Sequence, residues 1–108
     1  ASGVGAQLFA TKIPLLSPEV RTLNENDCIP GGTRENLKLA QSFTRWHDID
    51  YSEQVLLADA QTSGGLLLCV ARRNLTAILA LLRRHRTPGA AVIGEITSAS
   101  RPRIDVHL

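Results

Sequence analysis

The 108-residue chain contains no methionine, only two cysteines and only four aromatic rings outside histidine: one Trp, one Tyr and two Phe. An aromatic share of 4% is too small to build the stacking platforms of single-strand nucleic-acid binders. No apolar stretch approaches the roughly 18 to 20 residues that a bilayer-spanning helix needs. The longest runs, Val55 to Ala58 and Leu66 to Ala71, suit strand or core pieces. Cys28 and Cys69 form no C-x-x-C pair, so two free thiols in a reducing compartment are expected. Cys28 reads as a loop thiol, and Cys69, set among Leu and Val, as a small buried hydrophobe. The three histidines lack zinc-site spacing, and His47-Asp48-Ile49-Asp50 reads as a polar loop rather than a metal site. The missing methionine and the opening Ala1-Ser2-Gly3 suggest a piece of a longer protein, with residues 1–108 as a single domain.

What is present is a globular composition: 44% hydrophobic and 20% charged residues, close to ordinary usage. Charge is uneven. Residues 1–70 carry a net −3 and residues 71–108 a net +5, consistent with +2 for the whole chain. The basic excess sits in Arg72-Arg73 and Arg83-Arg84-His85-Arg86. Such clusters are the only support for a nucleic-acid module. The second cluster falls at the C-terminal end of a predicted helix, where cations complement the helix dipole. The expectation is therefore a solvated helix end, with neither nucleic acid nor membrane as a partner.

Local signals alternate strands and helices. Val4 to Ala10 reads as a strand. Ser17 is a candidate N-cap, with Pro18 at the first helical position and the helix ending near Asn24. Thr33 is expected to cap a second helix running to about Phe43. Trp46 to Tyr51 reads as loop, and Tyr51 to Leu57 as a helical turn capped by Ser52. Leu66 to Ala71, continuously apolar, has the signature of a buried strand. Leu75, Ile78, Leu79 and Leu82 form an amphipathic stripe over Arg72 to Arg86. Leu79 lies mid-stripe as a core residue. Thr87-Pro88-Gly89 supplies a helix stop. Ala91 to Ile96 and Arg103 to Val106 read as further strands. The fold class that follows is α/β (α+β), a mixed sheet with helices packed on it.

Two motifs carry the chemistry. The first is Ile29-Pro30-Gly31-Gly32-Thr33-Arg34-Glu35-Asn36, and the second is Asp59-Ala60-Gln61-Thr62-Ser63-Gly64-Gly65. The second offers an amide, two hydroxyls and unobstructed backbone N–H groups, a surface suited to oxyanions. It is not a P-loop, because it has no lysine and precedes an apolar run rather than a helix. On residues alone the favoured reading is a tight turn whose glycines permit close backbone packing before a buried strand, with Asp59 accepting backbone N–H bonds. Gly31, Gly32 and Thr33 place backbone N–H groups at a helix start, and Arg34 adds a fork suited to phosphate. A plain turn followed by a solvated Arg34 is the other reading.

The two motifs in this order resemble selenophosphate synthetase (selenide, water dikinase). In that family a Pro-Gly-Gly-Thr-x-x-Asn segment precedes Asp-Pro-Gln-Thr-Ser-Gly-Gly-Leu-Leu near the C-terminus. The resemblance extends to Val92-Ile93-Gly94-Glu95-Ile96. The departure is Ala60, where the family has proline. The resemblance implies the C-terminal domain of a cytoplasmic enzyme of the aminoimidazole ribonucleotide synthetase type. Its reaction would convert ATP, selenide and water to selenophosphate, AMP and phosphate, with magnesium. It further implies that the reactive Cys or selenocysteine, the lysine and the metal-binding aspartates precede Ala1. Under that reading this chain holds no catalytic residue and no metal ligand, and binds no cofactor alone. Its partner would be the N-terminal ATP-binding domain of the same protein, in a homodimer. Gly31, Gly32, Thr33, Arg34, Gln61, Thr62, Ser63, Gly64 and Gly65 would face phosphate or substrate. A non-catalytic structural or binding domain from a related ATP-using enzyme is the alternative.

Overall fold

The computed structural model describes residues 3–99 and 101–108. Its centre is a four-stranded mixed sheet of β1 (Gly5–Phe9), β2 (Thr44–His47), β3 (Gly94–Thr97) and β4 (Ile104–His107), ordered β2-β4-β1-β3. β4 runs parallel to both β1 and β2, while β3 is antiparallel to β1. This is the mixed sheet that the sequence pattern predicts. One element is new: β2 covers Trp46 and His47, which read as loop. Its Thr-Arg-Trp-His alternation has the period of a strand, but four residues are too short to stand out.

The registers set Thr44 and Trp46 beside Ile104 and Val106, and these beside Ala6 and Leu8. Because side chains alternate across a strand, that row forms one face. It builds the core of Ala10, Ile49 and Val106 with Leu8, Trp46, Leu57 and Ile104 packed on it. The Trp46 indole N–H is buried and finds no acceptor among the described residues. On the outer side of β1, a Cβ on Gly94 would lie 2.0 Å from the Gln7 carbonyl oxygen. Glycine is therefore what lets β3 approach β1.

Three helices fill the connections around β2. α1 (Glu19–Glu25) follows Pro18, and Ser17 does not cap it. It ends with Asp27 at φ 59°. There the Cys28 N–H donates to the Leu23 carbonyl at 2.9 Å and the Asp27 N–H to that of Asn24 at 3.1 Å, a Schellman stop. α2 (Gly31–Ala40) begins directly after Pro30. Thr33 thus sits in its first turn rather than at its cap, and the helix stops three residues before Phe43. α3 (Tyr51–Leu57) is capped by Asp50, whose carboxylate accepts the Glu53 N–H at 2.8 Å. Ser52, the expected cap, instead accepts from Asn24 of α1 at 2.8 Å. The reason is spacing: Asp50-x-x-Glu53 places an acceptor three residues before the exposed N–H, and Ser52 already lies inside the helix. Leu37 of α2 and Val55 of α3 are buried.

The second half differs from expectation. Residues 59–71 carry neither helix nor strand. Leu66, Leu67 and Leu68 are 85%, 70% and 48% exposed, and Cys69 is exposed rather than buried. A strand exists only through a neighbour, and β4 and β3 occupy both sides of β1. The run keeps its apolar pattern but pairs with neither edge, so the predicted buried strand is not formed. The predicted long helix is a 3-10 turn, Arg72–Asn74, followed by α4 (Leu75–Arg84). Its stripe of Leu75, Ile78, Leu79 and Leu82 is half-buried, and none of its residues is fully buried. Arg83 and Arg84 occupy its last turn, as predicted. Arg86, at φ 53°, closes it with a Thr87 N–H to Leu82 carbonyl bond of 3.0 Å, two residues before the expected Pro-Gly stop.

The surface reflects this looseness. The accessible area is 8215 Å², against about 5,900 Å² for a folded monomer of this mass. The radius of gyration is 14.9 Å, against about 13 Å for a compact chain of this length. No helix among the described residues is long and apolar enough to cross a membrane.

Candidate functional site

The two glycine motifs, separated in sequence, meet in space. Thr33 is the link. It is 1% exposed, the most buried polar side chain of the chain's core. Its hydroxyl donates to Asp59 Oδ1 at 3.0 Å and accepts the Ala60 N–H at 3.0 Å. One turn further along α2, Asn36 Nδ2 donates to the Ala58 carbonyl at 3.2 Å. A Cβ on Gly32 would lie 3.1 Å from the Ala60 Cβ, so glycine there keeps the loop against the helix. Asp59 thus accepts a side-chain hydroxyl, where the turn reading gave it a backbone N–H. Ala60, where the resembling motif has proline, keeps an N–H and uses it.

The other sequence-predicted residues divide clearly. Gly31, Arg34, Gln61, Thr62, Ser63, Gly64 and Gly65 are all exposed. Gly31 and Gly65 have nothing within 4 Å of a Cβ position, and at Gly64 a Cβ would touch only the flexible end of Gln61. Neither Gly64 nor Gly65 has a positive φ, so no strained angle explains the second pair. Arg34 does not stand free: it donates to Asp27 Oδ1 at 2.6 Å, and this hydrogen bond raises its already high pKa. The contacts join the first turns of α2 to Ala58, Asp59 and Ala60, and the exposed Gln61–Gly65 amide and hydroxyls follow directly in sequence. Such an arrangement can present donors to an oxyanion. The described residues contain no group of three or more His, Cys, Asp or Glu placed to hold a metal ion.

A second polar constellation lies on the sheet face opposite the core. His47 of β2 meets Asp105 of β4 at 2.9 Å and stacks on His107 with ring centroids 4.3 Å apart and planes at 4°. Arg103 Nε donates to the other Asp105 oxygen at 2.9 Å. The hydrogen bond from His47, and then Arg103, hold the Asp105 carboxyl below the usual carboxylate range. The sequence weighed His47 with Asp48 and Asp50, its neighbours. The structure sends Asp50 to the α3 cap and buries Ile49. The signal for the real pairing was the period-2 alternation of Ile104-Asp105-Val106-His107.

Comparison with known proteins places this geometry in a family context. The model of the AIR synthase related protein, C-terminal domain, matches residues 1–107. A selenide, water dikinase of Myxococcus xanthus is 42% identical over 108 residues, covering 98% of this chain and 30% of that protein. One of Porphyromonas gingivalis is 41% identical over 102 residues, covering 92% of this chain and 28% of that protein. One of Photorhabdus laumondii is 36% identical over 107 residues, covering 99% of this chain and 30% of that protein. The chain thus spans less than a third of the length of these curated relatives.

Proposed function

The chain belongs to the family of the AIR synthase related protein C-terminal domain, and from that premise we propose that it is the C-terminal domain of an ATP-dependent selenide, water dikinase. The longer enzyme makes selenophosphate, AMP and phosphate from ATP, selenide and water. The observation that carries this reading is the Thr33 bridge, which joins both glycine motifs into one surface. Residues 1–108 form one domain and supply one wall of the cleft. Gly31, Gly32 and the Gln61–Gly65 loop face the phosphates or an opposing loop. Arg34 reaches an anion only by leaving Asp27. Thr33 serves by position, since its hydroxyl is already engaged on both sides.

Among the described residues no group of three or more His, Cys, Asp or Glu converges to hold a magnesium ion. Metal, nucleophile and catalytic lysine belong to the N-terminal ATP-binding domain, which is this chain's partner within a cytoplasmic homodimer. The surface about 2,300 Å² beyond that of a compact monomer supports such a partner, because a standard interface takes about 800 Å² from each side. The test is AMP release. The longer protein is expected to release AMP only when selenide is present, and the 108-residue chain none. Turnover by the isolated chain would place the chemistry here. A longer protein without selenide-dependent AMP release would defeat the reading.

A further inference from the structure

We infer that Thr33 and Asn36 are positioning residues for the second motif, holding the start of the Asp59–Gly65 loop against the first turns of α2. Their role deepens the proposed function and rests on it where kinetics are concerned, while the hydrogen bonds themselves do not.

Three observations converge. The Thr33 hydroxyl is buried and used twice, as donor to Asp59 and as acceptor from the Ala60 N–H. Asn36, on the same helix, holds the carbonyl of Ala58, the residue just before them. Three consecutive residues, 58 to 60, are thereby fixed to one helix. Beyond them the loop has no such hold: the tether bonds end at Ala60, and Gln61 to Gly65 are all exposed. The direction in which the loop leaves α2 is therefore set at residues 58–60. A hydroxyl is the group that suits position 33, because only a hydroxyl both donates to a carboxylate and accepts from an N–H at one atom. Valine has the same shape and neither capacity. It would leave the Ala60 N–H and one Asp59 oxygen without their partner. Gly32 completes the arrangement by leaving room for Ala60. The consequence for function is orientation: the tether at residues 58–60 fixes where the Gln61–Gly65 segment begins relative to α2.

Two measurements separate this inference from the function it serves. In the 108-residue chain, Thr33→Val is expected to speed amide exchange at Ala60 by about tenfold, the scale of one lost hydrogen bond. Thr33→Ser should keep it within about twofold, because the hydroxyl remains. Asn36→Ala removes an exposed side chain without disturbing the core, and should speed exchange around Asp59 and Ala60 by a few-fold. In the longer protein, Thr33→Val is expected to lower kcat/KM for ATP by about tenfold and Thr33→Ser to restore it. Unchanged exchange in both Thr33→Val and Asn36→Ala would overturn the tether. Faster exchange with wild-type kinetics would overturn the positioning role. Absence of selenide-dependent activity in the wild-type longer protein would count against the proposed function alone, and the exchange data would still decide the tether.

Discussion

Residues 5–57 and residues 58–92 are both rich in leucine, yet they dispose of it in different ways. The first region closes over itself: Ala10, Thr33, Leu37, Ile49 and Val55 are all buried. Its helices are stitched together by Asn24 to Ser52 and by the Arg21–Glu53 pair. The second region holds seven leucines, none of them buried. Leu66 to Leu68 face solvent, and α4 shows a half-buried stripe. The lesson is that apolar patterning marks what must be covered without saying by what. In the first region the cover is the chain's own sheet. In the second the described residues leave it uncovered.

The largest expected effect breaks that comparison if it fails. Leu37→Ala should destabilise the chain by about 2 to 5 kcal/mol in urea titrations. Leu67→Ala should change stability by less than about 0.5 kcal/mol, as exposed positions do. Equal losses would mean that the two regions are packed alike. Leu79→Ala lies between them. Its stripe is only half-buried, so the loss should be about 1 kcal/mol, below the range of a fully buried leucine. The smallest effect concerns the polar sheet face. The Asp105 carboxyl is held below its ordinary value by His47 and Arg103. A depressed folded-state pKa gives stability that is present above the unfolded value of about 3.9 and lost as pH falls through the folded one. Asp105→Asn should therefore flatten the stability profile below about pH 4. A variant with the same acid profile as the wild type would show that the ion pair contributes nothing.

Most of the fold was legible where an element declares itself locally. β1, β3, β4, the extent of the Tyr51–Leu57 helix and the Arg83-Arg84 helix end were legible in local pattern and charge placement, whereas the cap of that helix was misassigned to Ser52 in place of Asp50. The surface formed by the two motifs was legible as two loops but not as one place. Thr33 and Asp59 are 26 residues apart, and nothing in their spacing tells that one hydroxyl serves the other. The same holds for His47 and Asp105, which only the register of β2 on β4 brings together. Leu66–Ala71 failed for a different reason. Its pattern is right for a strand, but a strand forms only by pairing, and the run pairs with neither of the edge strands β2 and β3, which no single-segment property reports.

Under the proposed function, Leu66 to Val70 is completed by contacts from outside this chain. Amide hydrogen exchange across this segment, measured in the 108-residue chain and in the longer protein, tests this directly. Slow exchange is expected at β1 and β4 in both proteins. At Leu66 to Val70 the proposal predicts fast exchange in the isolated chain and protection in the longer one, by about a hundredfold or more, as expected when a segment joins a cooperative unit. Equal exchange of this segment in the two proteins, whether fast or slow, would contradict it.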